Sequence, residues 1–494
     1  MNMSSDPGDQ HEFIVRLAGD LTTKSRRVRR RFQRRLIENM SEAIRSAGVD
    51  HTVDNLWSRL LVRADSGQAL EPLTRVFGVH SISPIQGRCR SDLDEIVRTG
   101  AALFCERVRG KTYAVRATRT GDPPFRSHDI QVQLGSALNR HAKVDLDDPE
   151  VTVQVDVRGD ETIFYSEHFP GPGGLPLGSQ DSAVALFSGG FDSAVAAWSI
   201  LKRGVCLDYV LCNLAGAAYE RSVLGVAKVL ADSWSFGSRP RLHIVDFQEI
   251  VPALKRDINS RYLQVVLKRL MYRVGCRIAA QLHGLAIVTG ESIGQVSSQT
   301  LANLRTIDEA ADLPVLRPLI GLDKREIVDQ SRHIGTYALS ASVQEYCALS
   351  DERPSTAARL KVIRDEEARL HLPMLDAVIS ERKIVDIRAL TDDELVLPYL
   401  YTNEVPEDAV VIDCRGEHQF DAWHYPGARR FDLDQLLTRY RRLERERTYV
   451  LYCPIGVQSA VAAEKMQSAG YEAYSFRGGS TALRKYVEDH DWED

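Results

Sequence analysis

Hydrophobic positions along this chain change their spacing several times, and each change predicts a different arrangement of helices and strands. Up to about residue 75, the pattern predicts a strand, a long helix and a second strand, WSRLLVRA. From about residue 81, helices such as SDLDEIVRTGAALFCERV alternate with strands such as KTYAVRAT and VTVQVDVRGDETIFY. This mixture predicts a small α+β sheet domain with helices packed on one face.

A stretch rich in proline and glycine, HFPGPGGLPLG, follows this region. Such a composition cannot continue a helix or a strand, so it predicts a domain boundary near residue 170. Beyond it, the apolar strands AVALFS, VCLDYVLCNL, RLHIVDF and LAIVTGES alternate with helical segments. Continuous apolar strands joined by helices predict a doubly wound parallel sheet that is covered on both faces.

The last region, from about residue 405, twice repeats the order strand, loop and helix, first in AVVIDCRGEHQFDAW and then in TYVLYCPIGVQSAVAAEKMQSAGY. A chain of 494 residues has room for three or four domains. The predicted fold is therefore multidomain α/β: an α+β N-terminal part, a doubly wound parallel sheet, and a C-terminal α/β domain.

The composition is typical of a globular protein, with 44% hydrophobic and 27% charged residues. No apolar run reaches the length of a membrane span, and the opening MNMSSDPGDQHEF lacks the order of a signal peptide, so we expect a cytoplasmic protein without membrane contact. The eight cysteines include no CxxC pair. This spacing argues against structural zinc, an iron–sulfur cluster or a disulfide framework.

The net charge of -5 hides an uneven distribution, because KSRRVRRRFQRR carries eight basic residues and no acidic one. Val28, Phe32 and Leu36 follow one another at spacings of four, which predicts a helix with one apolar face. A helix that is merely solvated would mix charges of both signs, so the excess of arginine indicates a polyanion-binding surface. Its candidate residues are Lys24, Arg26, Arg27, Arg30, Arg31 and Arg34.

The loop SGGFDS, Ser188 to Ser193, follows a buried strand and opens a helix. Its glycines, hydroxyls and free amides are the parts of an anion cradle, although it has no GK[ST] and is not a Walker loop. The string resembles the pyrophosphate loop (PP-loop) of the ATP pyrophosphatase family, which cleaves ATP between the α and β phosphates. The resemblance implies that Asp192 holds Mg²⁺ beside the phosphates, so the carboxylate does not repel them.

Further motifs extend this resemblance along nearly the whole chain. The stretches TGESIGQVSSQTLANLRTID, LRPLIGLDKREI and VQEYCALS, with FIVRLAGDLTTKS and GGLPLG, resemble the tRNA 4-thiouridine synthetase family. The resemblance implies four domains: ferredoxin-like (1–75), THUMP (76–170), PP-loop ATP pyrophosphatase (171–385) and rhodanese (405–494). The first two would grip tRNA, which gives the basic helix its partner.

The same resemblance assigns site residues to the PP-loop domain. Asp192 and Lys324 would support adenylation. The residues expected to bind ATP are Leu186, Phe187, Ser188, Gly189, Gly190, Ser193, Lys268, Gly290 and Gln299.

The C-terminal region looks like a rhodanese domain, because CPIGVQS resembles the active loop of that family. Its earlier motif is also present, in Asp413, Arg415, Glu417, His424, Pro426, Gly427 and Ala428. Loop amides that lead into a helix favour a thiolate or persulfide, so Cys453 is the candidate sulfur carrier, whereas Cys414 is expected to be a buried structural cysteine. Pro454 removes one amide donor and the arginine common in rhodanese loops is absent, which leaves a persulfide less stabilised.

These assignments imply an ATP-dependent tRNA uracil 4-sulfurtransferase. ATP and Mg²⁺ would adenylate the C4 oxygen of a uridine, and a Cys453 persulfide, loaded by a cysteine desulfurase, would supply sulfur directly or as released sulfide. Cys347 would then form a disulfide with Cys453, and a cellular thiol reductant would reset the pair.

Other functions fit part of the same pattern. One is a sulfur-carrier and RNA-binding protein that mainly serves thiazole synthesis for thiamine, with a sulfur carrier protein as partner. Another is an RNA-binding module with a vestigial nucleotide fold. A THUMP methyltransferase and a 2-thiouridine enzyme are disfavoured, because the chain lacks the expected GxG loop and the CxxC pair. A homodimer is a candidate assembly.

Overall fold

The computed structural model describes residues 10–56, 58–121, 123–140, 142–343, 354–395 and 397–489. These residues belong to two compact units, Met1–Ser179 with Lys202–Gly204, and Gln180–Leu201 with Val205–Asp494. The predicted multidomain α/β fold is confirmed: each unit contains two sheets.

The first sheet is antiparallel and has the order β10-β4-β1-β3-β2. The sequence analysis placed a boundary near residue 75, and the sheet takes a later strand, β4, before the chain leaves it. Its elements, apart from β10, are β1 (His11–Leu17), α1 (Gly19–Thr22), α2 (Arg26–Ser46), β2 (His51–Asn55), β3 (Arg59–Ala64), α3 (Leu70–Leu73) and β4 (Val79–Pro84).

The second sheet has the order β5-β9-β8-β6-β7 and carries its helices on one face. The stretch predicted as one strand, VTVQVDVRGDETIFY, is a hairpin, because Gly159 at φ +56° allows a turn after Arg158. The elements are β5 (Gly87–Arg90), α4 (Leu93–Val108), β6 (Thr112–Thr120), α5 (Ser127–Leu138), β7 (Lys143–Val144), β8 (Val151–Arg158), β9 (Glu161–Tyr165) and β10 (Phe169–Pro170), which returns to pair with β4.

The second unit begins with a six-stranded sheet of order β15-β14-β11-β12-β13-β16, here called the central domain (residues 182–386). The four predicted strands are parallel, and the sequence analysis missed two short edge strands, β15, which is parallel, and β16, which is antiparallel. The elements are β11 (Ser182–Leu186), α6 (Phe191–Leu201), β12 (Cys206–Asn213), α7 (Ala217–Trp234), β13 (Arg241–Asp246), α8 (Ile250–Asp257), α9 (Leu263–Gln281), β14 (Ile287–Val288), α10 (Leu301–Asp308), β15 (Val315–Leu316), α11 (Lys324–His333), α12 (Tyr337–Ser340), α13 (Leu360–Glu367), α14 (Met374–Ser380) and β16 (Lys383–Asp386).

The remaining strands form a parallel sheet of order β17-β21-β20-β18-β19, here called the C-terminal domain (residues 401–489). Apolar side chains on both faces of β18 and β20 are buried, which explains their continuous hydrophobic runs. The elements are β17 (Tyr401–Thr402), β18 (Val410–Asp413), α15 (Glu417–Ala422), β19 (Arg429–Arg430), α16 (Leu433–Arg439), β20 (Thr448–Tyr452), α17 (Val457–Ser468), β21 (Glu472–Phe476) and α18 (Gly479–Asp489).

Helix α2 has the amphipathic character that the sequence predicted. Phe32, Leu36, Met40 and Ile44 recur every four residues and are fully buried or nearly so. Arg26, Arg27, Arg30, Arg31 and Arg34 are exposed, whereas Arg29 and Arg35 are half-buried. Among the residues covered by the structure, no helix is both long and apolar enough to cross a bilayer.

Candidate functional site

The loop from Ser188 to Ser193 lies between the carboxyl end of β11 and the start of α6. Gly189 has φ +76°, and a Cβ there would lie 3.1 Å from the Cα of Val223, so this position requires glycine. The Ser193 hydroxyl donates to the Gly190 carbonyl at 3.0 Å, and the Gly190 amide donates to the Ser188 hydroxyl at 3.4 Å. These bonds hold a tight turn at the N-terminus of a helix, where the helix dipole favours an anion.

A cavity of about 540 Å³ opens beside this loop, at the carboxyl ends of β11, β12 and β14. Ligands of open parallel sheets bind at this edge. Gly189 and Gly190 shape the loop, and most of the other predicted site residues line the cavity itself: Leu186, Phe187, Ser188, Asp192, Ser193, Lys268, Gly290 and Gln299.

Gly290 brings the strand end against the loop. A Cβ on Gly290 would lie 2.5 Å from the carbonyl carbon of Asp192 and 2.8 Å from the amide nitrogen of Ser193. Since such distances are impossible, any larger residue would push the two segments apart. Glycine at this position therefore keeps the cavity closed on that side.

Several lining residues were missed by the sequence analysis. They form a largely apolar wall from the end of β12, the first turn of α7 and the inner face of α9, and they comprise Val210, Leu211, Cys212, Leu214, Tyr219, Leu267, Met271 and Tyr272. No motif marks them, because they come together only when the parallel strands pair. The nearest signal is position: Leu211 and Cys212 lie at the end of the strand that neighbours β11.

Asp192 is held by two side chains from later segments of the chain. Lys324 Nζ lies 2.9 and 3.1 Å from its two carboxylate oxygens, and Gln295 Nε2 donates to Oδ2 at 2.9 Å. Lys324 opens α11, which is fixed by a capping box between Asp323 and Glu326. The structure thus brings the two predicted adenylation residues together, and it adds Gln295, which the sequence analysis missed.

A buried carboxylate, Glu291, anchors one wall of the cavity. It accepts hydrogen bonds from Lys268 Nζ at 2.9 Å and from Arg317 Nε at 2.8 Å, and also from the Tyr272 hydroxyl. Burial alone would raise the pKa of Glu291, but the attraction of Lys268 and the Tyr272 and Arg317 contacts outweigh it and lower the pKa to about 2. Glu291 is therefore ionised at neutral pH and holds Lys268 at the cavity wall.

Cys453 follows β20 and precedes α17, as the sequence predicted, but its side chain is fully buried. The Ser459 hydroxyl donates to its Sγ at 3.3 Å. Gly479 packs so closely over the loop that a Cβ there would lie 2.3 Å from the Cys453 carbonyl oxygen. Cys414 is also buried, and burial raises the pKa of its thiol well above the ordinary value. Cys347, the other predicted catalytic cysteine, lies outside the described residues.

The basic face of α2 forms a shallow surface groove of about 440 Å³. It is lined by Arg26, Arg27, Arg30, Arg31 and Arg34, and Lys24 is exposed just before the helix. The structure therefore gathers five of the six predicted polyanion-binding residues into one groove. Arginines arranged in this way match the charge of a phosphate backbone.

Four family models match successive parts of the chain. They are the "ThiI ferredoxin-like domain" (residues 12–83), the "THUMP domain" (90–167), "Thiamine biosynthesis protein (ThiI)" (178–372) and the "Rhodanese-like domain" (399–485).

Curated relatives resemble the chain over almost their full length. The tRNA sulfurtransferase of Pyrobaculum aerophilum is 38% identical over 479 residues, which cover 96% of this chain and 98% of the relative. That of Pectobacterium atrosepticum is 35% identical over 474 residues, which cover 93% and 98%.

Two solved structures share the architecture. A 4-thiouridine synthetase crystallised with RNA and bound ATP superposes with a TM-score of 0.68 at 29% identity, covering 76% of this chain and 99% of that one. PH1313 from Pyrococcus horikoshii has a TM-score of 0.53 at 23% identity and covers 66% of this chain, which supports the fold alone.

Proposed function

Since this chain belongs to the tRNA sulfurtransferase family, we propose that it converts a tRNA uridine to 4-thiouridine by adenylating the C4 oxygen and delivering sulfur from Cys453. The observation that supports this proposal most strongly is the cavity beside Ser188–Ser193, which has Asp192 and Lys324 at its edge. A solved relative carries both RNA and ATP. The proposal therefore assigns ATP to this cavity.

The lining divides the cavity into two chemically different parts. The apolar wall of Leu186, Leu211 and Met271 suits an adenine ring, whereas the glycine loop and the N-terminus of α6 suit phosphate oxygens. Lys268 and Gln299 line the same cavity and offer polar contacts. The nucleotide would thus lie with its phosphates towards Asp192.

The residues present fit a magnesium ion that arrives with the nucleotide. Mg²⁺ is usually held by one or two carboxylates together with phosphate oxygens and water, and Asp192 supplies one hard oxygen ligand beside the loop. The ion, when bound, would neutralise phosphate charge. Lys324 already lies at Asp192, so its ammonium is placed to stabilise negative charge on the same phosphates.

The bond changes can be written in order. The C4 oxygen of the uridine attacks the α-phosphorus of ATP, and pyrophosphate leaves. The outer sulfur of the Cys453 persulfide attacks C4, and AMP leaves with the former oxygen. Cys347 then attacks the Cys453 sulfur of the mixed disulfide, which releases 4-thiouridine and forms a Cys347–Cys453 disulfide. A thiol reductant returns two electrons, and a cysteine desulfurase reloads Cys453.

Two features of the chain indicate how it would bind tRNA and a cysteine desulfurase. The arginine groove on α2 would bind tRNA through its phosphates. Because Cys453 is fully buried in the described conformation, the loop of Pro454 to Gly456 must open for desulfurase loading and for transfer.

Mass spectrometry of tRNA incubated with the chain, ATP, Mg²⁺, desulfurase and cysteine tests the proposal. We expect one uridine to exchange oxygen for sulfur, with one AMP formed per event. Cys453→Ala should abolish the exchange, and Cys105→Ala, which alters a half-buried cysteine on α4, should not. Undiminished thiolation by Cys453→Ala would refute the assigned sulfur carrier.

A second function is favoured by the description of the matching model, thiamine biosynthesis. In this role Cys453 would pass sulfur to a carrier protein of thiazole synthesis without adenylating RNA. Asp192→Ala separates the two roles, because it should stop tRNA thiolation and spare sulfur transfer to the carrier protein. Equal loss of both activities would refute an independent thiazole role.

A further inference from the structure

The C-terminal domain contacts the central domain through a carboxylate on α17. Glu464 Oε1 accepts a hydrogen bond from the Ala217 amide at 2.9 Å, and Oε2 accepts one from the Ala218 amide at 2.8 Å. These amides open α7, where backbone donors have no acceptor within the helix. The carboxylate thus satisfies two donors and places negative charge at the positive end of a helix of 18 residues.

Apolar packing surrounds this contact. Ala218 of α7 clusters with Leu400, Ala460 and Val461, and all four side chains are at most 7% exposed. Gly216, at φ +92°, makes room for the carboxylate, because a Cβ there would lie 3.2 Å from Glu464 Oε2. A charge-assisted pair of hydrogen bonds within a small apolar patch is typical of a specific interface.

The two helices at this interface each lead to a predicted reactive site. Helix α17 begins four residues after Cys453, and its Ser459 donates to the cysteine sulfur. In the first turn of α7, the Tyr219 hydroxyl donates to the Ser188 carbonyl at 3.2 Å, and Tyr219 lines the cavity. The Glu464 contact therefore links the helix that follows the loop Cys453–Gly456, here called the cysteine loop, to the helix that contacts the loop Ser188–Ser193, here called the glycine loop.

We infer that Glu464 is a positioning residue that docks the C-terminal domain onto the N-terminus of α7. This docking couples the movement of the cysteine loop to that of the glycine loop. The docking itself follows from the contacts above. Only its effect on sulfur transfer rests on the proposed function.

Hydrogen exchange of the full chain tests the docking. In Glu464→Ala, the amides of Ala217 and Ala218 should exchange about 5- to 30-fold faster, as expected for the loss of a helix-capping acceptor. Glu464→Gln, which keeps the shape and loses the charge, should give an intermediate increase. Glu446→Ala alters an exposed carboxylate of the same domain and should match the wild type. Unchanged exchange in Glu464→Ala would overturn the docking.

A variant on the other side of the interface controls for the possibility that Glu464→Ala acts by misfolding the C-terminal domain. Ala217→Pro removes one of the two amide donors at the first helical position, where proline is well tolerated. It should accelerate exchange at Ala218, as Glu464→Ala does. If Glu464→Ala acts and Ala217→Pro leaves Ala218 unchanged, the effect does not pass through this contact, and the docking is again overturned.

Multiple-turnover thiolation tests the coupling. Glu464→Ala should form 4-thiouridine about tenfold more slowly, while its Cys453 accepts sulfur from the desulfurase at the wild-type rate, measured as a gain of one sulfur by mass spectrometry. Faster exchange with an unchanged thiolation rate would overturn the coupling. Failure of the wild-type chain to thiolate tRNA would instead count against the proposed function and leave the exchange result standing.

Discussion

Replacing Glu291 with glutamine removes a buried carboxylate that holds Lys268, Tyr272 and Arg317 around the cavity. Glutamine has nearly the same shape, but it carries no charge and offers a single acceptor oxygen. Lys268 and Arg317 would lose the negative charge that they pair with, at a position where little water can replace it. We expect a loss of stability in the central domain and a weaker hold on the nucleotide.

The magnitude follows from the pKa. The contacts lower the pKa of Glu291 from its ordinary 4.5 to about 2. A shift of this size corresponds to roughly 3 kcal/mol of interaction that favours the ionised form. Glu291 is 4% exposed, so solvent screening reduces this figure little. For a domain of about 200 residues, roughly 3 kcal/mol lowers the melting temperature by about 6 to 12 °C.

The sign of the pH dependence follows from the downward direction of the pKa shift. Because the folded-state pKa of Glu291 lies below the unfolded value, the stabilisation is present above pH 4.5 and is lost as the pH falls towards 2. The gap in melting temperature between wild type and Glu291→Gln should therefore be widest near neutral pH and should narrow below pH 4.5.

Scanning calorimetry of the full chain measures this gap, and binding of a non-hydrolysable ATP analogue measures the consequence for Lys268. We expect a Kd about tenfold higher in Glu291→Gln. Asp329→Asn is the control, because it neutralises an exposed carboxylate that pairs with Arg332, and should cost less than about 1 kcal/mol. If Glu291→Gln melts within about 1 °C of that control, the cluster does not stabilise the domain as argued.

Three further outcomes are expected. Changing Arg27, Arg31 and Arg34 together to glutamine should reduce the slope of log tRNA affinity against log salt by about 2 to 3, and an unchanged slope would place the RNA elsewhere. Burial lowers the pKa of His243 from 6.5 to about 4, so the unfolded chain takes up a proton first as the pH falls, and the free energy of unfolding drops between these values. The melting temperature of His243→Gln should therefore depend less on pH in this range than that of the wild type. An equal dependence would contradict this. Cys347→Ser should stop after one event per chain, with the tRNA still joined to Cys453 through the mixed disulfide, and repeated turnover without that cysteine would exclude the disulfide step.

The family and the four-part fold expected from the motifs are confirmed by the relatives. They were predictable because each motif is local: a strand followed by a glycine turn and a helix can be recognised within twenty residues. The contacts of Glu291 were not predictable from the TGES motif that contains it, because its partners Lys268 and Arg317 lie 23 and 26 residues away on other elements. The hairpin at Gly159 was missed, although the run RGDE interrupts the alternation of apolar residues there.

The position of Cys453 constrains any mechanism in which it carries sulfur. A persulfide extends the side chain by about 2 Å, and Sγ already contacts the Ser459 hydroxyl within a fully buried pocket. The added atom cannot be accommodated unless the loop after Cys453 moves. Gly456, at φ +85°, and Gly479, at φ +64°, flank that loop and occupy conformations that other residues rarely adopt. If Cys453 carries sulfur as proposed, its loading therefore requires the loop to open, and a desulfurase would bind a conformation in which Sγ is exposed.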